Sequence, residues 1–459
     1  MSQSEAHSLS DLIEADSAAS RPILAKEDSL SFGSFRNASS LSGHIDELKS
    51  RSVMIMADDQ LRVAAALIDL DGWVRRIVIC PPDFETRHFS AVVRDAEVDS
   101  IVHDGGWSPQ PGRDISLVVP CELPLQPRAA RRDNYFPTEW VLLTSGTTGD
   151  PKMVVHTVAT LTKAIPRVSA SADVENWGTF YDIRRYGGLQ IFLRGCAGNG
   201  SLTLRSANET IDSFLTRASV NNVTHISGTP SHWRLVLMND ERSRINPKYV
   251  RLSGEIADES LIHALSALYP RARVAHAYAS TEAGVLFEIE DGQAGFPRTL
   301  LEKRDRDIAL KVVDSTLHAR SSGSALRYLG ATPPRLFDQA GFIDTGDFVQ
   351  RQGDRYFFSG RRGGIINVGG AKVNPEEVEA IINQHASVHA SLVKARRNPI
   401  AGSVVVADVV LKEGVVETAE LNEEIRSECA TRLAPYKVPA LVRFVPNLDV
   451  TDAGKLRRN

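Results

Sequence analysis

From about residue 21 to residue 360, short apolar runs alternate with amphipathic stretches. SVMIMA (Ser52–Ala57), RRIVIC (Arg75–Cys80) and DSIVHD (Asp99–Asp104) are brief apolar runs bounded by polar residues, the pattern of strands buried on both faces. Between the first two, DQLRVAAALIDLDG spaces its apolar residues as a helix does. Strand, helix, strand in succession predicts mostly parallel sheets covered by helices. The expected fold class is therefore α/β, with a large multi-sheet N-terminal domain over residues 21–360.

The pattern changes at GDRYFFSGRRGGIINVGGAK, where glycines crowd around Arg361 and Arg362. Beyond it, NPEEVEAIINQ predicts a helix with Asn374 as N-cap, Pro375 at the first helical position and Glu377 placed for a capping box. VHASLVKA and SVVVADVVLKEG predict strands, AELNEEIRSECATRLAP a helix and ALVRFV a last strand. Residues 361–459 are thus expected to form a small α+β domain. Residues 1–20 are rich in Ser and Ala with little periodicity, which predicts a loose leader.

Composition narrows the function classes. With 42% hydrophobic and 24% charged residues the chain has the make-up of a globular protein, and its length predicts more than one core. A net charge of -4 offers no electrostatic footprint for nucleic acid. Cys80, Cys121, Cys196 and Cys429 are scattered without C-x-x-C spacing, so neither a zinc site nor a disulfide framework is expected. The polar N-terminus lacks the apolar core of a signal peptide, and no apolar run is long enough to span a membrane. The expected location is cytoplasmic.

The chemistry is carried first by WVLLTSGTTGDPKMVVHT (Trp140–Thr157). An apolar strand runs into Thr144, Ser145, Gly146, Thr147, Thr148 and Gly149, followed by Lys152. Glycines let backbone N–H groups approach phosphate oxygens, hydroxyls add donors, and a lysine adds charge. The G-K-[ST] ending of the common P-loop is absent. In HAYASTEAG (His276–Gly284), Thr281 and Glu282 follow a strand-like segment and offer a hydroxyl and a hard carboxylate oxygen, suited to a metal-bound phosphate. In FIDTGDFVQ, Asp347 follows Thr345 and Gly346, where a carboxylate can accept both hydroxyls of a ribose.

These segments resemble those of the adenylate-forming superfamily of acyl- and aryl-CoA synthetases, adenylation domains and luciferases, and the resemblance extends over nearly the whole chain. It implies that the Thr144–Gly149 loop and Lys152 bind ATP phosphates, that Tyr278 stacks on adenine, that Thr281 contacts phosphate and that Glu282 helps hold Mg²⁺. Gly254 and Glu255 would lie in the adenine-side loop, and Asp347 and Arg361 on the ribose. Gly363 would be the hinge, Gly369 and Gly370 would line the thiol channel with Lys372 nearby, and Lys455 in TDAGKLRR would be the catalytic lysine. His276 and Ala279 depart from the family's usual Asn and Gly, and Gly363 stands where Asp or Lys is usual.

The same resemblance implies an AMP-forming ligase that joins a small carboxylic acid to CoA, or to the phosphopantetheine of a separate carrier protein, through an acyl-adenylate. A nucleotide-binding regulator without activity is the alternative from another class. The compact region before Trp140 implies a short member of the family, and four residues after Lys455 leave no room for a fused carrier domain. A homodimer is compatible with all three readings. Physically, bringing a carboxylate to a triphosphate sets like charges together, each pair costing about 4 kcal/mol at 4 Å and an effective dielectric near 20. Mg²⁺, Lys455 and the loop donors are the available counter-charges.

By resemblance the acid pocket is lined by Tyr181, Asp182, Tyr186, Gly187 and Gly188, with Gly228 and Thr229 opposite. Asp182 lies about where amino-acid-activating domains keep an aspartate for the substrate ammonium. It equally has Arg184 and Arg185 close by as local partners. So polar a stretch argues against a long fatty-acid tunnel and for an aryl acid, a short acyl acid or an amino acid.

Overall fold

The computed structural model describes residues 8–13, 21–41, 43–105, 114–128, 137–144, 151–166, 172–303, 307–368, 371–398 and 402–448. The three apolar runs singled out above become neighbouring strands of a seven-stranded sheet. Its order is Arg327–Leu329, Lys152–His156, Glu139–Thr144, Arg76–Ile79, Ser52–Met56, Ser100–His103, Leu117–Pro120. The last five run parallel, while Lys152–His156 turns back on Glu139–Thr144 and pairs antiparallel with Arg327–Leu329. Val53, Met54 and Ile55 are all buried, as strands covered on both faces require.

An eight-stranded sheet takes the order Gly284–Ile289, Arg273–Ser280, Tyr249–Ser253, His225–Gly228, Trp177–Thr179, Leu202–Leu204, Pro22–Leu24, Ser29–Ser31, and is antiparallel only at its two edges. One apolar cluster joins residues of both sheets to the helices Gln60–Leu70 and Tyr186–Ala197. Asp59 caps the first of these helices by accepting the Arg62 N–H at 2.8 Å. A five-stranded antiparallel sheet holds Ile343–Gln352 beside Arg355–Arg361, the hairpin that carries Asp347 and Arg361.

Past Arg361 the chain builds a separate apolar cluster. Val388–Asn398, Gly402–Leu411 and Leu441–Phe444 form a three-stranded sheet, and Val378, Ile382 and Ile425 of the helices Pro375–Ile382 and Ala419–Arg432 pack on it. The elements are those the sequence predicts, but the cap is different. Asn374 stands at the N-cap without a side-chain cap bond, and the Glu377 carboxylate accepts Lys437 Nζ at 2.7 Å instead of closing a capping box.

The expectation of a loose leader over 1–20 fails for residues 8–13. Leu9–Ile13 is a helical turn whose Leu9, Leu12 and Ile13 share one face and enter the large core. The Leu9 N–H donates to Asp71 Oδ2 at 2.7 Å, and Asp71 Oδ1 accepts the Trp140 indole at 2.7 Å. Burial raises the Asp71 carboxyl to about 7 in spite of these bonds. All four cysteines are buried free thiols. Among the described residues no helix is long and apolar enough to cross a membrane.

Candidate active site

Antiparallel pairing sets Thr144, where the Thr144–Gly149 loop begins, directly opposite Lys152, the third residue after it. Ser145, Gly146, Thr147, Thr148 and Gly149 themselves lie outside the described residues. Lys152 Nζ sits 5.6 Å from the centroid of the Tyr328 ring, and the Tyr328 hydroxyl donates to Glu282 Oε1 at 3.1 Å. The base of the loop and the Thr281–Glu282 pair, far apart in sequence, therefore meet across one tyrosine. No local pattern around Tyr328 announces this, because its role comes only from the edge-strand pairing of Arg327–Leu329.

His156 makes the second link. Its Nε2 lies 2.7 Å from the Thr281 carbonyl and its Nδ1 2.9 Å from Thr160 Oγ1. The carbonyl can only accept, so the proton belongs on Nε2. Burial holds the imidazole neutral, down to about 4, and does the same for His232, down to about 3, at the start of helix Pro230–Leu237. Both folded values lie below the ordinary histidine range near 6.5. The unfolded chain therefore takes up these protons first, and stability present above pH 6.5 is lost as pH falls toward 4. Denaturant titrations between pH 7 and 4 should record a loss on the order of 3 kcal/mol per histidine. His156→Gln should remove about half of that loss and leave the His232 share, and an unchanged profile would exclude His156.

The structure brings together Tyr278, Asp347 and Arg361, the residues expected at the nucleoside. The Tyr278 hydroxyl donates to Asp347 Oδ2 at 2.5 Å, and Arg361 Nε lies 3.6 Å from Asp347 Oδ1 across paired strands. The Tyr278 ring is stacked 4.6 Å from Phe358 and 5.3 Å from Phe287. Burial first, and then the neighbouring Asp347, push its hydroxyl well above the ordinary tyrosine range, so it remains a donor. Gly254 takes φ +85°, a conformation open chiefly to glycine, where the chain leaves strand Tyr249–Ser253. Glu255 then accepts the Ser231 N–H at 2.9 Å, beside Thr229, the N-cap of helix Pro230–Leu237.

Of the residues expected at the acid, Tyr181 is buried, and its hydroxyl donates to the Ser253 carbonyl at 2.6 Å, which ties it to the loop holding Gly254. Asp182 is held by Arg184. Its Oδ1 accepts the Arg184 N–H at 2.8 Å and Nε at 2.9 Å, and its Oδ2 accepts Nη2 at 2.8 Å. Arg184 Nη1 donates to the Ala57 carbonyl at 2.7 Å, and Arg185 pairs with Asp83. Of the two arrangements the sequence leaves open for Asp182, the local pair is the one formed, and its partner among the described residues is Arg184, while Arg185 turns to Asp83.

Gly188 begins helix Tyr186–Ala197 so close to this turn that a Cβ would stand 2.1 Å from the Asp182 carbonyl oxygen, and Gly187 packs on the Tyr181 ring. The Tyr186 ring lies 5.9 Å from that of His156. At Gly228 a Cβ would come within 2.8 Å of Phe180. Gly363 lies in the turn Arg362–Gly364, and Lys372 is exposed on the strand Ala371–Val373. Gly369, Gly370 and Lys455 lie outside the described residues. Among the described residues no three His, Cys, Asp or Glu side chains gather to hold a metal. A single carboxylate at Glu282 suits Mg²⁺, which binds through one or two carboxylates, phosphates and water.

The AMP-binding enzyme family matches residues 48–318, and the AMP-binding enzyme C-terminal domain matches residues 377–455. Among curated relatives, 4-hydroxybutyrate–CoA ligase 1 of Metallosphaera sedula is 27% identical over 359 residues, 71% of this chain and 60% of the relative. Acetyl-coenzyme A synthetase of Xanthobacter autotrophicus is 25% identical over 479 residues, 94% of this chain and 69% of the relative. The chain thus spans only 60% of the length of the first relative. In structure, an anthranilate CoA ligase in complex with anthranoyl-AMP superposes with a TM-score of 0.81 at 16% identity, covering 99% of this chain and 96% of that one. A benzoate CoA ligase from Burkholderia xenovorans LB400 superposes with a TM-score of 0.79 at 17% identity, covering 98% of each chain. At such identities the likeness is one of fold.

Proposed function

We propose, from the premise that the chain belongs to the AMP-binding enzyme family, that it is an ATP-dependent, AMP-forming ligase which converts a small carboxylic acid to an acyl-adenylate and passes the acyl group to the thiol of CoA. The observation that carries the proposal is that Lys152 and Glu282 meet at Tyr328, that Tyr278 and Arg361 meet at Asp347, and that the Arg361 charge bears on the Tyr328 hydroxyl and so joins the two groups.

In this reading ATP lies with its ribose on Asp347 and Arg361 and its phosphates over Thr144–Gly149, Lys152 and Thr281. Mg²⁺, when bound at Glu282, supplies charge neutralisation to the phosphates. The acid carboxylate attacks the α-phosphorus, the bond to the bridging oxygen breaks and pyrophosphate leaves. The protein's part is orientation and electrostatic stabilisation, and no side-chain nucleophile is needed. His156 and Tyr328 are positioning residues, since they hold the Thr281 carbonyl and the Glu282 carboxylate.

With Asp182 engaged by Arg184, the pocket has no free aspartate there for an α-ammonium. This favours aryl and short acyl acids over amino acids, and CoA over a carrier protein loaded with an amino acid. A pyrophosphate-release screen over aryl, short acyl, fatty and amino acids, with CoA or a carrier protein as acceptor, tests the proposal. No pyrophosphate from any acid would leave the regulator reading in its place.

The second half-reaction needs the small domain to turn about Gly363 and bring Gly369, Gly370 and Lys372 to the thiol. Gly363→Pro, which fixes φ near −65°, should leave adenylate formation measurable and slow thioester formation by about tenfold or more. Stopped-flow measurement of the two steps checks this, and normal rates for both would move the hinge elsewhere.

A further inference from the structure

Three buried polar groups without a hydrogen-bond partner among the described residues lie together on one face of the eight-stranded sheet. Arg251, only 2% exposed, donates from Nε to Glu288 Oε1 at 2.8 Å and from Nη1 to Ser253 Oγ at 3.3 Å, and its Nη2 is unpartnered. Ser227, the register partner of Arg251 on the adjacent parallel strand, is fully buried with an unpartnered hydroxyl. Arg194, from helix Tyr186–Ala197, reaches the same Glu288 Oε1 at 3.5 Å and leaves its Nε unpartnered.

Two guanidinium ions thus share one carboxylate, which also accepts the Tyr249 hydroxyl at 2.7 Å. Burial favours protonation of Glu288, but Arg251 and Arg194 outweigh it and hold the carboxyl down to about 2. The other charges nearby stand further out. Glu175 accepts the Trp177 indole and faces His225, while Arg273 and Glu290 pair at the rim, 66% and 40% exposed. Arg194, Arg251 and Glu288 together carry one net positive charge, with Glu175 acting on Arg194 from the cavity side, and the unused donors are costly unless an acceptor takes them up.

Arg194 and Glu288 also line, with Glu175, Trp177, Tyr249 and Arg273, a cavity of about 340 Å³ at the starts of the parallel strands, and Arg251 and Ser227 stand behind that lining. On strand Tyr249–Ser253, Arg251 stands between Tyr249 at that cavity and Ser253 at the proposed reaction site. Ser253 precedes Gly254 at the mouth, its hydroxyl joins Arg251 to Tyr181, and Arg251 stands two residues, about 7 Å, deeper on the same face of the strand.

We propose that the acid activated by this chain carries a second carboxylate, which Arg194, Arg251 and the Ser227 hydroxyl receive at the inner end of the pocket. This rests on the reading of the chain as an acid-activating ligase and names its substrate class. One carboxylate is consumed at the α-phosphate, and the other stays unreacted in a charge-assisted contact.

The test uses the full chain with matched pairs: succinate, glutarate and adipate against butyrate, valerate and hexanoate, and terephthalate against benzoate. Pyrophosphate release should favour one diacid over its monoacid by about 100-fold in kcat/KM, and Arg194→Leu should reduce that ratio by about 100-fold. Arg251→Met should do the same where it folds, while Arg194, 13% exposed on its side chain, is the safer variant. Calorimetry of the same diacids gives a readout independent of turnover, with a binding heat that Arg194→Leu removes. Equal or better turnover of monoacids or ω-hydroxy acids overturns the proposal, as does an equal loss for both acids in Arg194→Leu. A diacid heat lost in Arg194→Leu, with no pyrophosphate from any acid, supports the diacid site and overturns the ligase reading.

Discussion

Lys455→Ala is expected to slow acyl-adenylate formation by about 10²–10³-fold while leaving thioester formation from a supplied acyl-adenylate near its original rate. The adenylation step gathers negative charge on the oxygens that bridge carboxylate, α-phosphorus and departing pyrophosphate. A cation placed there stabilises the transition state more than the ground state, so its loss appears in the rate and less in substrate binding. Lys455, in the TDAGKLRR segment, is the cation that family resemblance assigns to this step. Thioester formation from the adenylate needs no such charge at the α-phosphorus. Rapid-quench measurement of each half-reaction separately checks the assignment. Equal losses in both steps would place Lys455 in general nucleotide binding or in folding.

The recognition segments were legible because each packs its chemistry into a short stretch. Lys152, Glu282 and Asp347 could be singled out from neighbours a few positions away, and the small domain from the change of pattern after Gly360. What escaped depends on contacts across the chain. His156 stands in the first motif as an ordinary polar residue, and its bond to the Thr281 carbonyl exists only because two sheets meet there. Arg251 reads as a charge inside an apolar strand, and only the fold supplies Glu288 and Arg194 around it. The turn at Leu9–Ile13 is not legible in the sequence because five residues give too short a window for periodicity, yet its three apolar side chains have a core to enter.

Asp182→Asn is expected to cost the folded protein about 3–5 kcal/mol, an effect on stability that exceeds any effect on the choice of acid. The Asp182 and Arg184 side chains are 8% and 5% exposed, and the carboxylate meets the guanidinium through both oxygens. Asparagine keeps the shape and one acceptor but removes the charge, which leaves the guanidinium buried with the Ala57 carbonyl and, at 3.6 Å, the exposed Asp58 as its remaining partners. The damage should also reach helix Tyr186–Ala197, because Gly188 packs directly on the Asp182 carbonyl. Denaturant midpoints of Asp182→Asn, Arg184→Met and the double variant separate the pair from its surroundings. The double variant should recover most of the loss, since an apolar pair avoids the stranded charge. A free amino acid turned over well above its desamino analogue, with that preference lost in a normally stable Asp182→Asn, would make Asp182 a substrate ligand after all and turn the chain toward carrier loading.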